Sequence, residues 1–458
     1  MISMVTEAVK RAGIKRCIVV VGFGAGSIIE FFGDTMEYAY QREQLGTGHA
    51  LLTGLEYIDN PEKYSAETAL GKLKAVTEGA VAGPQRPPDK PYNGRVLALY
   101  GDMPFVSADT LIGLVNQNIE NGEKGTLVYA DMANPYGFGR IVRGAGGEFQ
   151  KIIEQKDATE DEARISEANI GIYCFEAEAA RLALGRLRTD NAQGEMYLTD
   201  VFAELTAAGE RVGLHAIGDN RECLGANDRK ELAELNRVAR ADKCTELMLE
   251  SGVTIIDPET TYIDRDVAVG MDTVIYPGCV LEGRVIIGEG CEIGPYTKIR
   301  DSKVGDGSKI VYSVVNESAV GDSVTIGPFA QLRPGAAIDN GTKIGDFVEI
   351  KNSNIGKKVS ISHLAYVGDA DVGANVNIGC GVITCNYDGK QKYRTKIGAN
   401  AFVGSNVNLI APVTVNDNSY VASGSTITDD VPEDSLAIAR ERQVIKEHWV
   451  SRKGLRRD

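Results

Sequence analysis

Through the second half of this chain an aliphatic residue recurs at every sixth position, and few folds accept that spacing. One run reads Ile263, Val269, Ile275, Leu281, Ile287, Ile293, Ile299. A second reads Val320, Ile326, Leu332, Ile338, Ile344, Ile350, and a third Ile397, Val403, Leu409, Val415, Val421, Ile427. Glycine often follows, as at Val269-Gly270, Ile287-Gly288, Ile344-Gly345 and Val403-Gly404. Six matches neither the 3.6-residue period of a helix nor the alternation of a simple strand. It fits a flat-sided coil with one hexad per side, the aliphatic residue pointing inward and the glycine helping to turn the corner. Three hexads close a triangular turn of about 18 residues, the parallel β-helix, and about ten stacked coils bury the face a single coil leaves open. The spacing slips to five at Ile299–Val304 and Ile350–Ile355. A larger slip between Ile378 and Ile397 marks a protruding loop. Glycine supplies 52 of 458 residues, well above the usual share of about 7%, as so many tight turns require.

Residues 1 to about 224 follow another pattern. Met4–Ala12 has helical spacing. Cys17–Val21, Arg95–Tyr100 and Thr126–Ala130 are apolar runs that read as buried strands, with helical stretches such as Ala108–Glu120 and Ala177–Leu187 between them. Alternating strands and helices predict a Rossmann-like α/β unit with a mainly parallel sheet and ligands at the carboxyl ends of its strands. The charged, proline-rich stretch around 57–93 reads as a surface insertion. Asn227–Leu249 is rich in helix formers, with Asn227 or Asp228 as N-cap, and predicts a linker helix over 225–250. The expected domains are therefore 1–224, the linker, and a β-helix with a C-terminal tail over 251–458.

Composition removes several function classes. Net charge is −15, so a nucleic-acid-binding surface is not expected. No apolar run reaches the roughly 20 residues of a membrane span. The eight cysteines include no C-x-x-C pair and read as reduced thiols. Met1–Lys10 has no long apolar core, so a cytoplasmic location is expected.

Several motifs carry chemistry. Gly22-Phe23-Gly24-Ala25-Gly26 matches a dinucleotide fingerprint imperfectly and reads as an ordinary strand–helix turn. Gln41-x-x-Gln44-Leu45-Gly46-Thr47-Gly48-His49 offers amide groups able to read a base edge, or a helix-start loop capped by Thr47. Tyr100-Gly101-Asp102 sets a carboxylate beyond a strand, where a Mg²⁺ ligand or a capping Asp fits equally. His363 lies in the repeat between Ile361 and Val367, with Arg333 and Lys351 on nearby hexads. A base and two cations suit acyl transfer to an amine bearing a phosphate, and a surface His with two solvated cations is the plain alternative. Asn386-Tyr387-Asp388-Gly389-Lys390 forms the tip of the out-of-phase loop.

Taken with QREQLGTGHA, LYGDMP, NPYGFGRIV, IIEQKDA, EANIGIY, DNAQGEMYLTD and GCGVITCNYDGK, nearly the whole chain resembles the bacterial bifunctional N-acetylglucosamine-1-phosphate uridyltransferase / glucosamine-1-phosphate acetyltransferases. The resemblance implies a left-handed β-helix that transfers acetyl from acetyl-CoA to glucosamine-1-phosphate. It implies an N-terminal unit that transfers uridylyl from UTP to the acetylated product. The resulting UDP-N-acetylglucosamine feeds peptidoglycan and lipopolysaccharide synthesis. By motif, His363 is the general base, and Arg333, Lys351, Tyr366 and Asn377 bind the sugar phosphate. Cys380 (through its backbone), Asn386, Tyr387, Ser405, Ser423 and Arg440 contact acetyl-CoA. Gln41, Gly46, Thr47, Tyr100, Gly101, Asp102, Gly139, Glu154, Asn169 and Asn227 surround the nucleotide sugar, and Asp102 and Asn227 hold Mg²⁺. The family has Ala at the positions of Cys380 and Ser423. A homotrimer built through the β-helix is also implied.

One departure stands out. The family's opening strand and glycine-rich loop, L-x-x-G-x-G-T-R-M, has no counterpart in these residues. Such a loop cradles the UTP phosphates and offsets transition-state charge. The polypeptide as written is therefore expected to be deficient in uridyl transfer, with a shortened gene model as the expected cause. The absent strand should leave two strands without a partner. Three other readings stand beside the bifunctional one: an acetyltransferase with a scaffold N-terminal half, a pyrophosphorylase with a regulatory β-helix, and a purely structural solenoid.

Overall fold

The computed structural model describes residues 1–61 and 91–455, so most of the 57–93 insertion lies outside the described residues. The chain divides into two compact units, Met1–Leu235 and Asn236–Asp458.

The first unit runs α1 (Ile2–Arg11), β1 (Ile18–Val21), α2 (Ala25–Phe32), β2 (Glu37–Tyr40), α3 (Thr47–Asp59), β3 (Arg95–Leu99), α4 (Ala108–Glu120), β4 (Gly125–Asp131), β5 (Gly139–Arg143), β6 (Phe149–Ile153), β7 (Glu167–Glu176), α5 (Ala177–Leu184), α6 (Asp200–Ala207) and β8 (Val212–Ala216). The glycine-rich segment 22–26 is the turn from β1 into α2, with Gly24 at φ 73°. Strand β7 organises the larger sheet. Its residues 168–175 are all buried. Alternate side chains enter two cores: Tyr173 and Phe175 join Leu127, Leu184 and Phe202, while Ile170, Ile172 and Cys174 join Leu111, Leu114 and Val128. A period of two delivering apolar groups to both faces is what a central strand requires. Helix α4 starts where the Ser107 hydroxyl accepts the Thr110 N–H at 3.1 Å.

The expectation of a mainly parallel sheet needs refinement. Pairs β1–β2 and β4–β8 are parallel, but β7 runs antiparallel to β3, β4 and β5, and β5 antiparallel to β6. The sheet is mixed because β7, which runs in the same direction as β6 on the far side of β5, lies antiparallel to β3, β4 and β5. Among the described residues β1 pairs with β2 and β3 with β7. Both β1 and β3 have apolar sequences suited to a sheet centre. Yet every residue of β3 is only half-buried, and β1 buries alternate residues rather than all four.

A long helix, α7 (Arg229–Leu249), follows. Asp228 caps it, its Oδ1 accepting the Glu231 N–H at 2.8 Å. From Thr254 onward the second unit is a parallel β-helix of short strands. Successive coils pair in register at 18 residues, as Tyr262 with Val280, or 17 where the spacing slips, as Ile286 with Lys303. Every aliphatic residue of the three six-residue runs is buried, in one continuous core. The slip after Ile378 is an excursion between the strands Ile383–Cys385 and Thr395–Ile397.

Apart from Gly294 and Gly327, which have φ near 100°, the glycines after the aliphatic residues do something other than turn corners. Positive-φ corners are held by residues such as Asp272, Tyr296, Ser323 and Lys358. At Gly345 a Cβ would lie 1.9 Å from the Ser362 carbonyl oxygen of the next coil. At Gly404 it would lie 2.6 Å from the Ser423 nitrogen. The hydrogen at these positions lets adjacent coils meet at strand spacing. No helix among the described residues is long and apolar enough to cross a membrane.

Candidate active sites

In the β-helix, coil register assembles the residues that sequence alone scatters over a hundred positions. Strand Lys343–Lys351 lies beside strand Ser360–Gly368 with Asp346 opposite His363. Ser360 pairs with Asn377 and Tyr366 with Ile383, an offset of 17 that sets Cys380 opposite His363 on the following coil. Asn377 pairs with Phe402 and Phe402 with Tyr420, which continues the column through Ser405 and Ser423. The Ser405 N–H donates to Ser423 Oγ at 3.2 Å. Arg440 lies beside Gly424 at the end of this column. His363 and four of the six expected acetyl-CoA residues thus share one edge of the prism.

A second group flanks it. The Arg333 N–H donates to the Ile350 carbonyl at 2.8 Å, which brings Arg333 beside Lys351. Arg333 Nη1 reaches Glu349 Oε1 at 2.7 Å, and Glu349 pairs in register with Tyr366. Lys392, from the protruding loop, lies against Lys351 and lowers its pKa, with further lowering from Arg333. Asn386 is buried and donates from Nδ2 to the Asp369 carboxylate, while Tyr387 is exposed. Arg394 ties the loop's base to Asp371 through contacts of 2.6 and 2.8 Å.

The imidazole itself is well defined. His363 Nδ1 lies 2.6 Å from Asp346 Oδ1, the two side chains being 63% and 38% exposed. The bond from His363 is the first cause holding the Asp346 carboxyl below its ordinary range. Sequence reasoning missed Asp346, Asp369 and Lys392. The signal was present for Asp346, which stands one 17-residue coil before His363.

The first unit gathers its own set. Loop 41–49 packs on the DNAQGEMYLTD segment: Gly48 N–H donates to the Met196 carbonyl and Met196 N–H to the Leu45 carbonyl, each at 2.8 Å. Gly46 has φ 109°, and a Cβ there would lie 2.7 Å from the Met196 carbonyl oxygen, so glycine is required. Thr47 does not cap α3; its hydroxyl accepts the Leu198 N–H at 3.0 Å. Gln41 is buried, its Nε2 at 3.2 Å from the Gly46 carbonyl and 3.0 Å from His49 Nδ1.

In the same unit, Gly139 pairs in register with Asn169 and faces the Glu154 carboxylate. Asn169 donates to the Tyr173 hydroxyl at 2.8 Å, and Thr199 donates to Glu154 Oε1 at 2.9 Å. Tyr100 packs edge-on against Tyr173 at 6.4 Å, in the space left by Gly171. Burial raises the Glu154 and Tyr100 pKa values. Tyr173 and Thr199 were not anticipated from sequence. Gly101 borders Ile2 of α1, and the Asp102 carbonyl approaches Gly225, which carries the Asn227 loop toward Asp102. Asn227 Nδ2 donates to Glu231 Oε2 at 3.3 Å, leaving its oxygen free. A carboxylate and an amide oxygen are the hard donors Mg²⁺ accepts alongside phosphate and water. No cluster of three or more His, Cys, Asp or Glu with metal-holding geometry occurs among the described residues.

The chain matches the family described as bacterial transferase hexapeptide (six repeats) at residues 266–301 and 394–429. A bifunctional protein GlmU from Acetivibrio thermocellus is 47% identical over 457 residues, covering 100% of this chain and 92% of that protein. The bifunctional protein GlmU of a Geobacillus strain is 45% identical over 458 residues, covering 100% and 93%. Among solved structures, Francisella novicida UDP-N-acetylglucosamine acyltransferase matches at a TM-score of 0.31 and 18% identity, covering 44% of this chain and 74% of that one. Near-half identity across the full length of this chain means that it belongs to the bifunctional GlmU family.

Proposed function

We infer that this chain is a bifunctional transferase: its β-helix acetylates glucosamine-1-phosphate from acetyl-CoA, and its N-terminal unit couples the product to UTP to give UDP-N-acetylglucosamine. The observation that carries the first half is the coil register, which sets His363 in one column with Cys380, Ser405 and Ser423 and beside Arg333 and Lys351. His363 removes a proton from the sugar's ammonium-derived amine as it attacks the thioester carbonyl. Arg333 and Lys351 hold the sugar phosphate, with Tyr366 and Asn377 on its sugar. Asn386, Tyr387, Ser405, Ser423, Arg440 and the Cys380 backbone hold acetyl-CoA.

In the N-terminal unit Gln41, Gly46 and Thr47 hold the uracil, and Gly139, Glu154 and Asn169 hold the sugar. Tyr100, Gly101, Asp102 and Asn227 border the phosphates. Asp102 and Asn227 would hold Mg²⁺, which supplies charge neutralisation on the phosphates.

The active form is a homotrimer in the cytoplasm. Supporting this is a stacked stripe along one edge of the prism, Tyr296, Tyr312, Phe329 and Phe347, with ring centroids 5.5–5.7 Å apart and every ring exposed in the single chain. The stripe ends beside Asp346 and His363, so a neighbouring chain that covers it also encloses the imidazole.

Release of free CoA thiol from acetyl-CoA, dependent on glucosamine-1-phosphate, tests the acetyl half. No release would refute it. Pyrophosphate release from UTP, dependent on N-acetylglucosamine-1-phosphate, tests the uridylyl half, and no release would refute it.

A further inference from the structure

We propose that Asp346 is the positioning residue for His363, holding the imidazole in the Nδ1–H tautomer so that Nε2 is the basic nitrogen presented to substrate. The inference rests on the acetyl-transfer reading for its function, and on geometry for its content.

Three observations support it. The bond is short, 2.6 Å between His363 Nδ1 and Asp346 Oδ1. It is set by backbone register rather than by two flexible chains meeting by chance: Ile344 pairs with Ile361, Asp346 with His363 and Val348 with Ala365 along one parallel ladder. The pair is also too exposed to serve stability much, with side chains 63% and 38% accessible.

The chemistry follows from the acceptor. An ionised carboxylate has no proton to give, so Nδ1 must carry the hydrogen of that bond. In the neutral ring the lone pair then belongs to Nε2. As Nε2 takes the amine proton the ring becomes a cation, and the adjacent carboxylate stabilises it without itself being protonated. The other titratable groups on the flanking elements are Lys343 and Glu349 on the preceding coil, Tyr366 on the imidazole's own strand, and Cys380 on the coil that follows. None of these is hydrogen-bonded to the ring among the described contacts, whereas Asp346 is.

The test uses the full chain with Asp346→Ala and Asp346→Asn. The chain has only four histidines, 49, 215, 363 and 448, so ¹⁵N imidazole spectra are assignable with a His363→Ala control. Wild type should show His363 as the Nδ1–H tautomer. Asp346→Ala should shift it toward Nε2–H and lower kcat at least about tenfold with KM values little changed. Asp346→Asn, whose amide can donate to Nδ1 as well as accept from it and carries no charge to stabilise the imidazolium, should also lose the fixed tautomer and lower kcat. An Asp346→Ala protein with the wild-type tautomer and wild-type kcat overturns the proposal. If wild type shows no acetyl transfer at all, the functional reading falls, while the tautomer measurement still decides the role of Asp346.

Discussion

Replacing Gly345 by Ala probes how closely the coils of this prism approach at the site. A Cβ at 345 would sit 1.9 Å from the Ser362 carbonyl oxygen and 2.7 Å from its carbon. Ordinary contact for such atoms begins near 3.4 Å, so roughly 1.5 Å of separation must open between two backbone segments. No side chain can swing aside, because the obstacle is main chain. Opening the gap weakens the ladder on either side, where Ile344 pairs with Ile361 and Asp346 with His363. Losing one or two backbone bonds costs about 1–2 kcal/mol, and overpacking a close-packed site adds about 1–3 kcal/mol. The sum is about 2–5 kcal/mol. Guanidinium unfolding read by far-UV circular dichroism should show the β-helix transition at a lower midpoint, with unchanged slope. Hydrogen exchange should quicken first in peptides spanning 340–370, since each coil leans only on its neighbours. Acetyl transfer should drop as well, because the shift separates Asp346 from His363. An unfolding free energy within about 0.5 kcal/mol of wild type, a margin typical of neutral surface changes, would refute the reasoning that these glycines set the coil spacing.

Further expectations concern charge, the loop and assembly. Burial raises the Glu154 pKa above its ordinary 4.5, so the carboxylate is the form disfavoured by folding, and its cost is present at neutral pH and lost as pH falls through the folded pKa. Glu154→Gln should therefore unfold at a higher temperature than wild type at pH 8, with the gain shrinking toward pH 4.5, while affinity for UDP-N-acetylglucosamine falls. Arg394→Ala frees the base of the protruding loop from Asp371; after discounting for its partial exposure the loss is about 1 kcal/mol, seen as a roughly fivefold rise in KM for acetyl-CoA. Phe329→Lys combined with Phe347→Lys should convert a three-chain mass by light scattering to that of one chain, with the coil's circular dichroism retained.

The β-helix was legible because its signal is periodic: an inward residue every six positions leaves little choice of fold, and each of those residues is buried. The register of the catalytic column was legible in principle, since coil length predicts that Asp346, His363 and Cys380 align. Asp346 went unread because a single acid on a surface coil carries no local signature. The glycines' role was misread for a physical reason: sequence shows where backbone freedom is available, whereas Gly345 and Gly404 are needed for closeness between coils. In the N-terminal unit, burial of β7 on both faces followed from its apolar run, but its direction did not. Strand direction depends on how connections cross the sheet, and EANIGIYCFE reads alike both ways. β1 and β3 carry the composition of central strands yet remain half-exposed, since burial is decided by neighbours as much as by side chains.

The central claim is that coil register makes His363 the base for acetyl transfer. It is tested most directly by acetylation kinetics of His363→Ala, with light scattering and circular dichroism on the same sample. The account predicts that kcat falls by about 10²–10⁴-fold while acetyl-CoA still binds and the coil remains folded. Acetyl transfer at the wild-type rate by the folded variant would contradict it.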